Sequence, residues 1–478
     1  MTAVGQDAPP AGTRGLGPRF ARLLAAQSAT NLGDGLLSVA VVWFASTLTR
    51  DATLVALVAL ASRLPWLLVS LPAGVLADRL DRRLLVGWTD VARTVVTVAL
   101  AAVVLAVQDS LPSPAALAGG APEPEHAGFL IAVLCAASFV LGVAEVVRDN
   151  AAQTLLPAFV REDRLETANG RLSAAEITTN SFVGPPLGGA LLAFALVLPF
   201  ALDAALLAAS AVLLLTLRRS PRPGPARTAP PGWRAQTAEG FGWLWRHRAL
   251  RLLAVLLGAM NFLSALALTV AVLFVQDVLG LFEGWQFGLV TTGTAVGALL
   301  GSFVSARVSR RLGSGTSLVV SVAVMGAMLA LMGATSSAAV FWATGFGLGL
   351  GIVLWNVITV SLRQRLVPDD LLGRVNSVYR FFGWGTIALG TLLGGVLVSA
   401  TEGWLGRDGA LRLPFLVAGV GTLALLVVAP RLRTALAVAT VPTVPTVPTV
   451  PTVPTVPTVP TVPTDERAAV DGGAYGRD

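Results

Sequence analysis

"GVLADRLDRR", residues 74 to 83, places five charges in ten residues, immediately after a run from Leu54 to Pro72 whose only charge is Arg63. A charged knot of that kind is what a chain needs where it leaves a bilayer, reverses within a few residues and enters again. The apolar stretches on either side of it recur along most of the sequence. About twelve of them, each near the roughly 20 residues that span a bilayer core, lie between residues 21 and 430.

Composition agrees with that pattern. Of the 478 residues 54% are hydrophobic and 13% charged, with a mean hydropathy of +0.74, which no soluble domain approaches. Cys135 is the single cysteine, so no internal disulfide and no thiolate metal cluster forms. The two histidines, His126 and His247, both fall in loops, which excludes a histidine-rich membrane metalloenzyme. No cofactor and no metal is expected. All 34 basic residues are arginine; without lysine there is no Walker A loop, so no nucleotide partner is expected. Such usage points to a GC-rich bacterial genome.

The net charge of +7 resembles that of a nucleic-acid binder, but the arginines are sorted by loop. One set of segments carries Arg14, Arg19 and Arg22, then Arg79, Arg82 and Arg83, then Arg161, Arg164 and Arg171, the stretch 218–251, Arg307, Arg310 and Arg311, Arg363, Arg365 and Arg374, and finally Arg431 and Arg433. The alternate loops are acidic and arginine-poor: 108–128 holds Asp109, Glu123 and Glu125, and 277–285 holds Asp277 and Glu283. That alternation places both termini in the cytoplasm of a bacterial inner membrane and makes nucleic acid a poor second partner. Residues 1–19 contain no apolar core, so a cleavable signal peptide is not expected.

The chain also repeats itself. "RLLAAQSATN" at 22–31 returns as "RLLAVLLGAMN" at 251–261, "LADRLDRRLL" at 76–85 as "VSARVSRRLG" at 304–313, and "QTLLPAFVREDRLETANGRL" at 153–172, shortened, as "QRLVPDDLLGRVNSV" at 364–378. The long 108–128 loop accounts for most of the change in offset. An all-α membrane protein of two pseudo-symmetric six-helix bundles follows, 20–217 and 250–432. A disordered leader 1–19, a cytoplasmic linker 218–249 and a disordered tail 433–478 complete it. Duplicated bundles about an axis along the membrane normal enclose a cavity, the architecture of a carrier.

These features resemble the major facilitator superfamily. Gly74, Asp78, Arg79, Arg82 and Arg83 fall on its loop signature between the second and third spans, while Asp81 stands where the superfamily usually has Gly. The resemblance implies a gating latch between the halves; the plainer alternative is a set of topology-determining charges. "NSFVGPPLGG", 180–189, is similar to the signature of proton-driven exporters. In it Gly184, Pro185, Gly188 and Gly189 would kink the helix and allow close packing, and Asn180 takes the place of an upstream Gly. The phrases "SRLPWLLVSLPAGVLADRLDRR", "EGFGWLWRHRALR" and "LLGRVNSVYR" resemble the branch containing the enterobactin exporter and macrolide efflux proteins.

Polar groups within spans narrow the site. A carboxylate at mid-span costs roughly 2.5–3.5 kcal/mol on insertion scales, so its presence needs a reason. Gln27, Asn31, Asp34 and Ser38 form one stripe on the first span, expected to line the cavity. Asp34 is a candidate proton carrier, against the alternative of a structural hydrogen-bonded acid; Glu176 and Glu145 are further candidates. Glu145, Arg148 and Asp149 are expected to pair within their helix or with the Asp78 knot, and Arg63, Asp90 and Arg93 with one another. Asp203 is expected to be an interfacial or structural acid. Arg63, Trp66, Asn180, Asn261, Phe262, Trp355 and Asn356 are candidate cavity residues.

From Val441 to Thr464 the chain reads VPT eight times, an extended polyproline segment of roughly 75 Å at about 3.1 Å per residue. The expected function is secondary export of a small amphipathic, drug-like molecule by a monomer, by alternating access in exchange for protons. Its rivals are a dedicated siderophore or natural-product exporter and a membrane receptor or scaffold that does not transport.

Overall fold

The computed structural model describes residues 16–69, 72–73, 76, 80–153, 155–161, 164–217 and 233–439, and among these all regular structure is helical. In chain order the first half comprises α1 (Pro18–Leu48), α2 (Ala52–Leu68), α3 (Arg82–Val107), α4 (Ala127–Gln153), α5 (residues 165–192) and α6 (Leu198–Leu215). The second comprises α7 (Arg248–Asp277), α8 (Gly284–Leu312), α9 (Ser314–Ala334), α10 (Ala338–Leu366), α11 (369–405) and α12 (407–424). The last two form one helical run broken at Gly406, whose φ of 69° turns the chain back, a conformation open to glycine at no steric cost. Among the described residues nine helices are long and apolar enough to span a bilayer by length and composition, the last of them containing this reversal, and α2 is a shorter apolar helix. With the interrupted α5, twelve crossings in two six-helix bundles result.

The repeat seen in the sequence is one of helices. α1 begins at Pro18 and α7 at Arg248, whereas α4 begins at Ala127 and α10 at Ala338. The offset changes because the α3–α4 connection holds a 3-10 turn, Gln108–Ser110, and a short helix, Pro114–Ala118.

Lipid offers no hydrophobic drive between helices, so close packing of small residues holds them together. Gly35 of α1 meets the backbone of Asn180 and Gly184 on α5, and Gly390 and Gly394 of α11 meet the carbonyls of Phe262 and Leu266 on α7. A side chain at any of these would strike backbone. Between the two halves, Gly189 of α5 faces Gly288 of α8, where an added Cβ would lie 2.7 Å from the opposing Cα.

The end of the molecule that carries the connection between the halves is called here the linker end, and the opposite one the far end. Several expected boundaries shift. Helix α1 starts at Pro18, inside the expected leader, and Ala429–Ala439 is helical, so the expected disorder from 433 does not begin there; residues 440–478, with the VPT repeats, lie outside the described residues. Within the expected linker, 218–232 lie outside the described residues, whereas Trp233–Arg246 is a helix. It docks on α11 through Glu239 and Arg374 (2.6 Å) and through Gly240, packed on the Arg374 backbone, with Leu244 fully buried.

Of the charged knot, Gly74, Asp78 and Arg79 lie outside the described residues. Asp81, the departure from the superfamily pattern, caps α3: its Oδ1 accepts from the backbone N–H groups of Arg83 (3.1 Å) and Leu84 (3.3 Å). Arg83 is buried and donates to the carbonyl of Leu215 (3.1 Å) and to that of Leu217, at the C-terminal end of α6. A guanidinium on orphan carbonyls at a helix C-terminus also meets the negative end of its dipole. Asp81→Ala is expected to destabilise the protein by about 1 kcal/mol and Asp81→Gly by only a few tenths, measured as thermal unfolding of the detergent-purified protein.

Candidate functional site

The polar stripe of α1 turns away from the buried face of its helix. Ala26, Thr30, Gly33 and Leu37 are buried, while Gln27, Asn31 and Asp34 are half-buried and Ser38 is exposed. Asp34 forms an ion pair with Arg93 of α3. Arg93 is 2% exposed, and its Nε and Nη1 have no hydrogen-bond partner among the described residues. Beside it Asp203 of α6 is fully buried over Gly33; its Oδ2 accepts from Thr97 Oγ1 (3.2 Å) and its Oδ1 is unpaired. An interfacial place for Asp203 is therefore excluded.

A second pair lies beneath the first. Arg148 of α4 donates from Nε to Asp90 Oδ1 of α3 (2.8 Å), and Ser210 of α6 donates to Asp90 Oδ2 (2.6 Å). The weaker Arg148–Asp149 contact is 3.4 Å. The expected mutual pairing of Arg63, Asp90 and Arg93 is corrected: Asp90 takes Arg148 and Arg93 takes Asp34. The reason is rotational, since Asp90 and Arg93, three residues apart on one helix, each reach across to a different neighbour more easily than to each other. Glu145 is half-buried within electrostatic range of Asp34, Asp149, Arg93 and Arg63, and Glu176 is exposed within range of Asp149. Asp34, Asp90, Glu145, Asp149 and Asp203 thus lie near Arg93 and Arg148, so carboxyls outnumber guanidiniums in this part of the first half.

Helix α5 widens to a π-helix over Ile177–Val183 and returns to α at Gly184. The transition precedes Pro185, which cannot donate to the ladder, and a π-turn takes up that misfit. Gly184 abuts Gly35, Gly188 abuts the Leu36 backbone, and Gly189 with the Pro185 carbonyl meets Gly288 of α8. Toward the linker end the two helices part: Glu176, Ile177, Ser181 and Phe182 are exposed, and α8 instead packs on α10 at Gly293 and Gly297.

At the far end the halves are tied. Arg50, between α1 and α2, pairs with Asp277 at the end of α7 and donates to Gln276 Oε1 (2.6 Å), whose amide donates to Ser46 (2.8 Å). Asp277 also accepts from Arg407 (2.9 Å), itself 3.1 Å from Glu402, and Ser399 bridges to Asp51 (3.0 Å) and Thr53 (2.9 Å). Glu123, from the long α3–α4 connection, accepts from Thr49 Oγ1 (2.7 Å) and the Arg50 amide (3.1 Å). A vestibule of about 900 Å³ lies over this network, lined by Arg50, Asp277, Arg407 and Leu117 among others. Asp277 and Glu123 read in the sequence only as acids of these loops, and Arg50 and Arg407 are not singled out there; an arginine at the break between α1 and α2, on the acidic side, is the signal.

On the second half's side of the cleft, Trp384 of α11 stacks on Trp66 at 4.8 Å, and Asn261 is pinned to the Gly383 carbonyl (3.2 Å). Phe262 and Asn180 are half-buried and Asn356 is exposed. Trp355 is 2% exposed, so it belongs to the packing of α10 and not to a cavity wall. Trp384 was not anticipated; its stretch, "RFFGWGT", reads as small-and-aromatic packing.

Two bundles parted at one end, tied at the other and charged along the wall between them are what a moving carrier shows. The sequence profile of the Major Facilitator Superfamily matches residues 23–391. The chain belongs to this superfamily. It is a membrane transporter of that fold and not an enzyme.

Among solved structures of this fold, a bacterial homologue of the iron transporter ferroportin in an inward-facing state has a TM-score of 0.63 at 19% identity, with 85% of this chain and 98% of that one covered. A bacterial homologue of the human lysosomal transporter Spinster, inward-facing and unoccupied, also scores 0.63, at 15% identity over 90% and 98%. A nucleoside transporter scores 0.61 at 12% identity over 87% and 99%. No curated protein matches the sequence.

Two outcomes follow for this superfamily member. Arg148→Leu strands the Asp90 carboxylate and is expected to cost about 3–5 kcal/mol, part of it recovered when Asp90→Ala is added, as read by thermal unfolding in detergent. Asp277→Ala removes the carboxylate by which Arg50 ties the halves, leaving Arg50 with Gln276 and Arg407 with Glu402. In a Cys135→Ser background, a Ser46→Cys thiol is then expected to react several-fold faster with an impermeant maleimide, because the far end opens more often.

Proposed function

We propose that the protein exports small amphipathic molecules across the bacterial inner membrane by alternating access, in exchange for protons. The observation that carries it is the Asp34–Arg93 pair on the wall between two bundles that are tied at one end and parted at the other. The linker end, with its arginine-rich segments, is assigned to the cytoplasm by the bias of cytoplasmic loops toward Arg. Of the arginines among the described residues the far end carries only Arg50, Arg407 and Arg412, far fewer than the linker end, and so does not oppose it.

In this mechanism cargo enters from the cytoplasm between α5 and α8, and the bundles 20–217 and 250–432 rock about the Gly189–Gly288 contact. The far-end ties then break, and the Asp78 knot latches the opposite end. A proton arriving at Asp34 releases Arg93, which turns its unpaired N–H groups to Asp203 or Glu145. That change of partner couples protonation to movement of α1 against α3. The GPxxGG-type stretch at 184–189 supports export over uptake, as does the likeness to the enterobactin and macrolide exporter branch. The monomer is the working unit, since the cleft is complete within one chain. A dedicated siderophore or natural-product exporter is the second reading, favoured by the cation Arg63 in the cleft, which makes no ion pair among the described residues.

The test is accumulation of cationic, neutral and anionic fluorescent amphiphiles in efflux-deficient bacteria making the native protein or its Asp34→Asn variant at matched levels. Lower accumulation with the native protein, abolished by Asp34→Asn and by a protonophore, is the expected outcome. Unchanged accumulation of every compound would overturn general export.

A further inference from the structure

Eleven residues of helix separate Arg63 from Ala52 at the far-end start of α2, which sets it about 16 Å down, near the middle of a hydrocarbon core of roughly 30 Å. An arginine at that depth needs partners for its five N–H donors. The other two deep arginines have them: Arg93 holds Asp34, and Arg148 holds Asp90. Arg63 is exposed and makes no hydrogen bond or ion pair among the described residues. Glu145, within electrostatic range, is not bonded to it.

What holds Arg63 in place is the other half of the protein. Its guanidinium lies over the Trp384 ring, 5.8 Å from the centroid, and Trp384 stacks on Trp66 at 4.8 Å and 15°. A guanidinium lying over an indole keeps its N–H edge free and oriented, the arrangement that receives a carboxylate through two parallel bonds. The side chain also lies on the face of α2 that meets α11, in line with Ala52 and Ala56, which pack on Gly395. It therefore points into the cleft and not to lipid.

We propose that Arg63 is the anchor for an anionic group of the cargo, and that the cargo class is aromatic or similarly flat carboxylates. The proposal rests on the transporter reading above and narrows it. The half-buried Trp384 and Phe262 supply the apolar surface for the body of such a molecule, with the buried Trp66 backing Trp384, while its carboxylate meets the N–H groups of Arg63. A lipophilic cation would meet the like charge of that guanidinium. Because Arg63 comes from the first half and Trp384 from the second, rocking of the halves separates them and dismantles the subsite, so the anion is held firmly only while the far end is closed.

The experiment is equilibrium binding of radiolabelled 1-naphthaleneacetate and of its uncharged isostere 1-naphthaleneacetamide to the purified full-length protein in phosphatidylcholine nanodiscs. The native protein is expected to bind the carboxylate about tenfold or more tightly than the amide. That ratio falls to near one in Arg63→Gln and is partly restored in Arg63→Lys, which keeps the charge without the flat fork. Equal binding of the two ligands by the native protein, or an undiminished ratio in a monodisperse Arg63→Gln, overturns the proposal, and the first comparison needs no variant to fold. Adding phosphatidylglycerol is expected to leave carboxylate binding unchanged; displacement by it would mean that Arg63 holds a lipid headgroup and would overturn the cargo assignment. Direction is read separately in cells. A native carboxylate preference with inward movement of the ligand sinks export and leaves this subsite standing, whereas expulsion of cationic dyes without any carboxylate preference does the reverse.

Discussion

The first bundle is organised around two arginines that cannot reach water. Arg93 and Arg148 are each 2% exposed, and a buried guanidinium without a counter-charge is among the most destabilising groups a membrane interior can hold. Each is matched across helices: Arg148 on α4 to Asp90 on α3, with Ser210 of α6 on the second oxygen, and Arg93 on α3 to Asp34 on α1. Four of the six helices are thereby fixed in rotation as well as in position. This is the constraint on which the rest depends, because the Asp34–Arg93 pair joins α1 to α3 on the side of the polar stripe.

The second bundle is built differently. Its contacts are glycine on backbone: α8 on α10 at Gly293 and Gly297, α11 on α7 at Gly390 and Gly394, α12 on α9 at Gly419. The described helices of this half bury no arginine–carboxylate pair comparable to those of the first. Buried arginine–carboxylate pairs among the described residues are thus confined to one half, and the other offers aromatic surface, with Trp384 and Phe262 toward the cleft. A duplicated ancestor that kept the fold twice had to keep the charges only once.

How much of this is legible in the sequence depends on whether a feature is local. The polar stripe of α1 and the break in α5 around Pro185 are written in neighbouring residues, and each is found where the sequence puts it. Partners are another matter. Asp90 and Arg93, three residues apart, read as a pair, yet the rotation of α3 aims them at α4 and α1. Trp355 reads as a cavity aromatic because a tryptophan in an apolar helix carries no sign of which face it occupies. The far-end network escapes for the same reason: Arg50, Asp277 and Arg407 come from three separate turns, and only the folded chain brings them together, Arg407 to Asp277 within the second half and Arg50 to Asp277 across the halves. Asp81 is the converse case, a departure from a family pattern whose explanation, a helix cap, is local and physical.

The two classes of polar contact also differ in what it takes to break them, and that difference determines which part of the molecule moves. The ties that cross between the halves at the far end, Arg50 to Asp277 at 15% and 9% exposure and Ser399 to Asp51, open onto the vestibule, where an ion pair contributes less than in the interior. Disrupting a buried pair such as Arg148–Asp90 costs about 3–5 kcal/mol. A carrier that must separate its halves thousands of times while never unpacking either one needs that ordering. Water from the vestibule takes the place of Asp277 beside Arg50 when the two part, whereas no water reaches Asp90. The long α3–α4 connection, through Glu123 on Thr49 and the Arg50 amide, adds to the weak side of the balance. It strengthens closure of the far end without making it permanent.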